Sequence, residues 1–200
     1  TTVELEKKNN YSTTAFGSNV QWHRNGFQLG LTALYSQFSR PLCPNTEQKY
    51  RTDYPQGYNF WNVGANYGYI NSRWNVNGES AMSGNGAFAT LNSASFQASK
   101  QVAITAIQRY YSAKYWDLNG NAFSEGGQTR NEMGLLLGLA WTINRFLTTN
   151  IYSDYAYFAK PRYLASVASC AWDNLFSTVY THNNFSFLVR YRFKIRQKDN

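Results

Sequence analysis

The chain has 200 residues, with 19 Lys and Arg against 11 Asp and Glu for a net charge of +8, and carries 16 Tyr, 13 Phe and 6 Trp. The length suits one domain, and four prolines with 14 glycines exclude collagen-like and low-complexity chains. A mean hydropathy of −0.52, with no run near the ~18 apolar residues a spanning helix needs, excludes a helical membrane protein but not a barrel, whose strands are polar at every second position.

Read in chain order, segments of ten or so residues alternate between greasy and polar, which places one set on each face of a strand. The first, about Ser12 to His23, sets Phe16, Val20 and Trp22 against Ala15, Gly17, Asn19 and Gln21. Arg24-Asn25-Gly26 is a hairpin signal. Phe27 to Phe38 returns with Phe27, Leu29, Leu31, Ala33 and Tyr35 outward. A long loop with Pro41, Pro44 and Pro55 leads to Tyr58–Tyr69, which offers Trp61, Val63, Ala65, Tyr67 and Tyr69. After Asn71-Ser72-Arg73, a fourth segment sets Trp74 and Val76 against Asn75, Asn77 and Glu79.

Ser83-Gly84-Asn85-Gly86 turns into a less regular fifth segment, Ala87 to Ala98. There Phe88, Ala94, Phe96 and Ala98 share a face with Thr90 and Asn92. The sixth, Val102 to Ser112, leaves its facing open. A glycine-rich loop runs from about Lys114 to Asn131. The seventh sets Met133, Leu135, Leu137, Leu139 and Trp141 against Glu132, Gly134, Leu136, Gly138 and Ala140. Phe146–Phe158 sets Leu147, Ile151, Tyr155 and Tyr157 against Asn150 and Asp154. The ninth lies near Ala171 to Thr181. The last is the clearest: Phe185, Phe187, Val189, Tyr191, Phe193 and Ile195 interleave with Ser186, Leu188, Arg190, Arg192 and Lys194.

A charged face recurs strand after strand with no apolar layer to cover the greasy one. Lipid covers it in a transmembrane β-barrel. Turns near 25, 71, 100, 143 and 183 are short and those near 48, 122 and 165 are long, as expected when alternate hairpins face different compartments; only the turn at 84 breaks the order. Aromatic residues sort by height: Trp22, Tyr69, Trp74, Trp141 and Phe146 at the short-turn ends, and Tyr35, Trp61, Tyr110, Tyr155 and Tyr157 at the long-loop ends. Such girdles mark the two interfaces of a bilayer. The expected fold is all-β, an antiparallel up-and-down transmembrane β-barrel of about ten strands. Leu29, Leu31, Val63, Leu135, Leu137, Leu139, Phe187 and Val189 face lipid. Trp22, Tyr35, Trp61, Trp74, Trp141, Tyr155 and Tyr157 are the interface aromatics.

Chemistry-bearing patterns are sparse. His23 and His182 both fall at short turns, far from any serine–acid cluster, so a catalytic triad is not expected. Two His and two distant Cys give no metal spacing, and no cofactor is expected. Cys43 and Cys170 fall in loops on one side, which leaves a bridge between them open, and are expected as free thiols. Gly134-Leu-Leu-Leu-Gly138 matches a helix-dimer pattern, but on a strand both glycines simply face inward. Trp116-Asp117 and Trp172-Asp173 are too far apart for a propeller repeat, and Gly84-Asn85-Gly86 lacks the helix and lysine of a nucleotide loop. The basic patch Arg190, Arg192, Lys194, Arg196 and Lys198 alternates, so it reads as a strand face or rim and not a disordered arm.

What remains is an inward charged set: Arg73, Glu79, Arg109, Glu132, Asp154, Arg190, Arg192 and Lys194. In a wide barrel these residues line a wet pore, and in a narrow one they pair and plug it.

Glu79 to Ser93 (ESAMSGNGAFATLNS), Asn121 to Trp141 (NAFSEGGQTRNEMGLLLGLAW), Asp154 to Tyr163 (DYAYFAKPRY) and Ala171 to Asn174 (AWDN) carry a family likeness. The chain resembles the C-terminal outer-membrane barrel of Gram-negative envelope proteins that bear helix-hairpin-helix repeats. That resemblance implies an outer-membrane location and a barrel larger than this chain. Nothing here matches the repeats, so no nucleic acid is expected to bind this segment. The ending Arg196-Gln-Lys-Asp-Asn200 resembles an opening extracellular loop rather than an aromatic-ended last strand, and no leader begins at Thr1. A mature or truncated chain is therefore expected: one β-barrel domain over 1–200, with a loop tail or short helix at 1–10, strands over 11–196 and the remaining barrel strands missing. The expected role is a non-enzymatic pore, translocation or scaffold component in contact with membrane lipid and lipopolysaccharide. A soluble carbohydrate-binding β-module is the alternative reading and an outer-membrane enzyme the third.

Overall fold

The structure, a computed structural model, describes residues 10–199. The loop tail or short helix expected over 1–10 lies outside these residues except for Asn10. Ten strands follow one another: β1 (Thr13–Arg24), β2 (Phe27–Leu42), β3 (Gly57–Ile70), β4 (Trp74–Ser83), β5 (Phe88–Gln97), β6 (Val102–Tyr111), β7 (Glu132–Asn144), β8 (Leu147–Phe158), β9 (Ser169–His182) and β10 (Phe185–Arg196). Among the described residues the helical content is a single 3-10 turn, Lys49–Arg51. Each strand pairs antiparallel with the next in one sheet, ordered β1 to β10 without a crossover. This is the up-and-down all-β architecture expected from the alternation. Among the described residues β1 and β10 do not pair with each other, so the sheet keeps two free edges.

The turns explain the register. Asn25 (φ 50°) and Gly26 (φ 82°) both take left-handed geometry, the mirror-image turn whose twist matches a hairpin. A side chain at Gly26 would collide with the Ile70 carbonyl. Asn183 (φ 51°) takes left-handed geometry at the start of the β9–β10 turn. Asn71 accepts the backbone N–H groups of Arg73 and Trp74 at 2.8 and 2.7 Å, an Asx turn. Pairing of β2 with β3 slips between Gln37 and Leu42, where Pro41 removes a ladder donor.

Pairing fixes which residues share a face. Trp22 opposes Leu29, Leu31 opposes Ala65, and Tyr35 opposes Trp61. Leu135, Leu137 and Leu139 continue the same surface across β7, and Phe187 and Val189 across β10. These side chains stand outward, with Leu31 at 67%, Leu137 at 53% and Phe187 at 55% exposure. At the short-turn end Phe27 packs on Tyr69 and Trp74 on Phe96, both at 4.5 Å between ring centres. These are direct cross-strand aromatic pairs, the strongest kind a sheet surface offers.

The sixth segment's facing is settled: Ile104, Gln108 and Tyr110 stand outward, Arg109 and Tyr111 inward. Polar residues on the outward face of β4–β6 satisfy one another. Ser80 and Thr90 hydroxyls lie 2.9 Å apart, and Asn92 Nδ2 donates to Gln108 Oε1 at 2.7 Å and to Thr90 at 3.1 Å. The Tyr67 ring lies across Gly78, where a side chain would displace it, and its hydroxyl donates to Asn92. No donor is left facing outward without a partner at Asn92, which is what an apolar surrounding demands.

Two placements correct the sequence reading. Arg73 belongs to the β3–β4 turn and not to the inward face, because β4 begins one residue later at Trp74. Cys170 lies within β9 opposite Tyr157, not in a loop; Cys43 follows β2, and both thiols are free.

The sheet curls. Strands β3 and β8 would stand about 24 Å apart in a flat sheet. Yet Tyr50, from the loop before β3, meets Tyr163, from the loop after β8, edge to face at 5.8 Å.

Candidate functional site: an ion-pair network under an inward loop

The paired charges of the inner face fall in two clusters. Arg109 on β6 is fully buried. Its Nε donates to Glu132 Oε1, and Nη1 and Nη2 donate to the two oxygens of Asp154 at 2.8 and 3.1 Å. The strand register produces this arrangement. Arg109 lies directly opposite Gly134, and its guanidinium occupies the space a side chain at Gly134 would fill. It therefore crosses β7 and meets Asp154 on β8. Glu132, also on β7, lies on the same inward face. Planar bidentate pairing of this kind is the geometry in which arginine binds a carboxylate most strongly.

The second cluster joins β9 to β10. Asp173 accepts Arg192 Nε at 2.9 Å and Lys194 Nζ at 3.1 Å, Lys194 being its direct partner in the ladder.

The β6–β7 loop, residues 112–131, ties the clusters together. Its Glu125 accepts Lys194 Nζ at 2.8 Å and Arg196 Nε at 2.6 Å. The backbone N–H groups of Glu125 and Gly126 each donate to the Glu132 carboxylate at 2.8 Å. Phe123 presents its ring to Arg109 at 5.0 Å and its carbonyl to the Tyr111 hydroxyl at 2.8 Å. The loop thus crosses the inner face from β7 to β10 and does not extend away from it. A cavity of about 360 Å³ remains between Phe123, Tyr152, Asp154, Asp173 and Arg192.

Of the inward charges expected from the sequence, Arg109, Glu132, Asp154, Arg192 and Lys194 come together in this network. Glu79 and Arg190 share the inner face but make no ion pair among the described residues. Sequence reading missed Glu125 and Asp173, and named Arg196 only in the basic strand face, outside the inward set. Asp173 was legible, because alternation that points Trp172 outward points Asp173 inward. Glu125 gave no signal, since a glycine-rich loop has no period.

The network holds fixed charges of both signs, each matched, and presents no activated nucleophile. His23 sits beside Gln21 at 3.1 Å, and His182 stacks near Phe146 and Tyr180, both near the short turns. Among the described residues no group of three or more His, Cys, Asp or Glu is placed to hold a metal ion. No helix of the described chain is long and apolar enough to cross a membrane. In the loops, burial beside Asp117 pushes the Tyr115 hydroxyl up to about 12.

The fold and site define a class: a ten-stranded antiparallel meander with an exposed apolar outer face and a paired, loop-covered charged inner face. No known family model matches the chain, and no curated protein matches it. A solved structure described as "NanC porin structure in rhombohedral crystal form" is similar to it at 13% identity and a TM-score of 0.33, over 94% of this chain and 98% of that one.

Proposed function

We propose that this chain is an outer-membrane β-barrel segment of a Gram-negative bacterium, a non-enzymatic pore or scaffold component whose lumen is narrowed by the β6–β7 loop. The observation that carries this reading is the outward face. Leucine, valine and phenylalanine side chains stand exposed across β1–β3, β7 and β10, with rings at both ends, and among the described residues no second layer packs on them. A contiguous apolar surface on that scale calls for a membrane or partner, and aromatic ends with aliphatic middles match the two bilayer interfaces. The helix-hairpin-helix barrel family remains the proposed kinship, with further strands pairing along the free edges of β1 and β10, since unpaired edges do not persist in hydrocarbon.

The test is extraction followed by single-channel recording. The chain is expected in the membrane fraction, solubilised by detergent only, with a heat-dependent shift in gel mobility. Reconstituted in planar bilayers, Glu125→Gln is expected to raise unit conductance above wild type, because the loop loses its hold on Lys194 and Arg196. A chain soluble without detergent would contradict the membrane reading. Equal conductance in both proteins would contradict the constricting role of the loop.

A further inference from the structure

Three loops meet over the long-loop end of the sheet: residues 43–56, 112–131 and 159–168. Tyr50 and Tyr163 join the first to the third. Asn131 clasps the third from the second, donating to the Lys160 carbonyl and accepting the Lys160 N–H, both at 2.9 Å. Between them lies a cavity of about 220 Å³ bounded by Tyr50, Tyr54, Arg130, Phe158, Arg162 and Tyr163, and no carboxylate lines it.

Both arginines line it, and no carboxylate pairs with either among the described residues. Arg130 lies over the Tyr54 ring at 4.6 Å, and its Nη1 is buried with no acceptor. Arg162 lies over the Phe158 ring at 3.5 Å, with Nε donating to Ser169 Oγ at 3.2 Å. The acids near Arg162 are committed elsewhere: Glu132 to Arg109 and two backbone amides, Glu125 to Lys194 and Arg196. Asp53 acts on Arg130 from the neighbouring cavity. Burial lowers the pKa of both guanidinium groups, and Arg196 lowers that of Arg162 further.

A desolvated guanidinium with an unmade hydrogen bond is costly. Aromatic faces hold these two planar groups and leave donor edges free, which suits bidentate recognition of an oxyanion. We propose that this cavity binds an oxyanion, a phosphate or carboxylate group, clamped by Arg130 and Arg162 between the lining residues Tyr50, Tyr54 and Tyr163. The proposal holds whether or not the inner face conducts. A free small anion and a lipopolysaccharide phosphate carry the same chemistry, and the experiment separates them.

The full chain in zwitterionic detergent is titrated calorimetrically with inorganic phosphate, and its binding to phospholipid vesicles with and without lipopolysaccharide is measured. Arg130→Gln and Arg162→Gln are each expected to weaken binding roughly tenfold or more, the worth of a charge-assisted hydrogen bond. Lys100→Gln, in the short turn at the opposite end, is expected to leave it unchanged. Heat-dependent gel mobility verifies folding, and Arg162→Lys, which keeps the charge but loses the fork, is expected to fall between. Arginine-dependent binding of phosphate assigns a free anion. Arginine-dependent binding of lipopolysaccharide vesicles alone assigns a headgroup. Absence of both, or equal loss with Lys100→Gln, overturns the proposal.

Discussion

Replacing Arg109 with methionine is expected to destabilise the folded chain by about 3–5 kcal/mol, the usual cost of stripping one partner from a buried ion pair. Arg109 is fully buried, and Glu132 and Asp154 are 2% and 5% exposed. Without the guanidinium, the carboxylates of Glu132 on β7 and Asp154 on β8 are left with no cation between them. The β6–β7 loop loses support as well, because its amides are held by Glu132 and its Phe123 ring by Arg109. The triple change Arg109→Met, Glu132→Gln, Asp154→Asn removes every charge and is expected to recover most of the loss, since a neutral replacement avoids the uncompensated charge. Urea unfolding in micelles, followed by tryptophan fluorescence, reads both. A single substitution costing less than about 1 kcal/mol would mean the pair is hydrated and the network is not a structural core.

Leu137→Arg and Leu136→Arg, adjacent on β7, are expected to behave oppositely. Leu137 stands outward at mid-strand, 53% exposed. Arginine there is expected to cost about 2–4 kcal/mol, the penalty for a cation on the lipid face near the bilayer midplane. Leu136 faces inward beside the cavity lined by Asp154, Asp173, Arg192 and Lys194, a polar space where a guanidinium stays hydrated. Its cost is expected to stay below about 1 kcal/mol. A water-soluble sheet reverses this order, because a half-exposed leucine tolerates arginine within about 0.5 kcal/mol. Folding of both variants into vesicles, followed by denaturant titration, gives the comparison.

The strands were legible because period-two alternation is local information. Met133 to Trp141 and Phe185 to Ile195 name their outward face within a few residues, and Asn25-Gly26 names its turn without help from the rest of the chain. Facing was hardest to read where polar residues stand on the apolar side, although Thr90 and Asn92 were placed on the face they occupy. Thr90 and Asn92 make sense only once Ser80, Tyr67 and Gln108 from neighbouring strands supply their partners. Arg73 was counted among the inward charges although the same reading put it in the Asn71-Ser72-Arg73 turn, where the structure also has it. The loop is the deeper failure. Glu125 binds Lys194 and Arg196, 69 and 71 positions away, and no local pattern encodes so distant a contact. The charged set was therefore found as separate inward residues, while the link that joins Arg109–Glu132–Asp154 to Asp173–Arg192–Lys194 emerged only in three dimensions.

The claim that lipid covers the outer face is tested most directly by a nitroxide scan of β7 in reconstituted vesicles. With Cys43 and Cys170 changed to serine, single cysteines from Met133 to Trp141 are spin-labelled, and collisions with oxygen and with a water-soluble nickel chelate are compared. Odd positions are expected to favour oxygen and Leu136, Gly138 and Ala140 the chelate; Gly134, whose side-chain space the Arg109 guanidinium fills, is left out of the series. Chelate access at Leu135, Leu137 and Leu139, or shielding of those positions from both reagents, would contradict it.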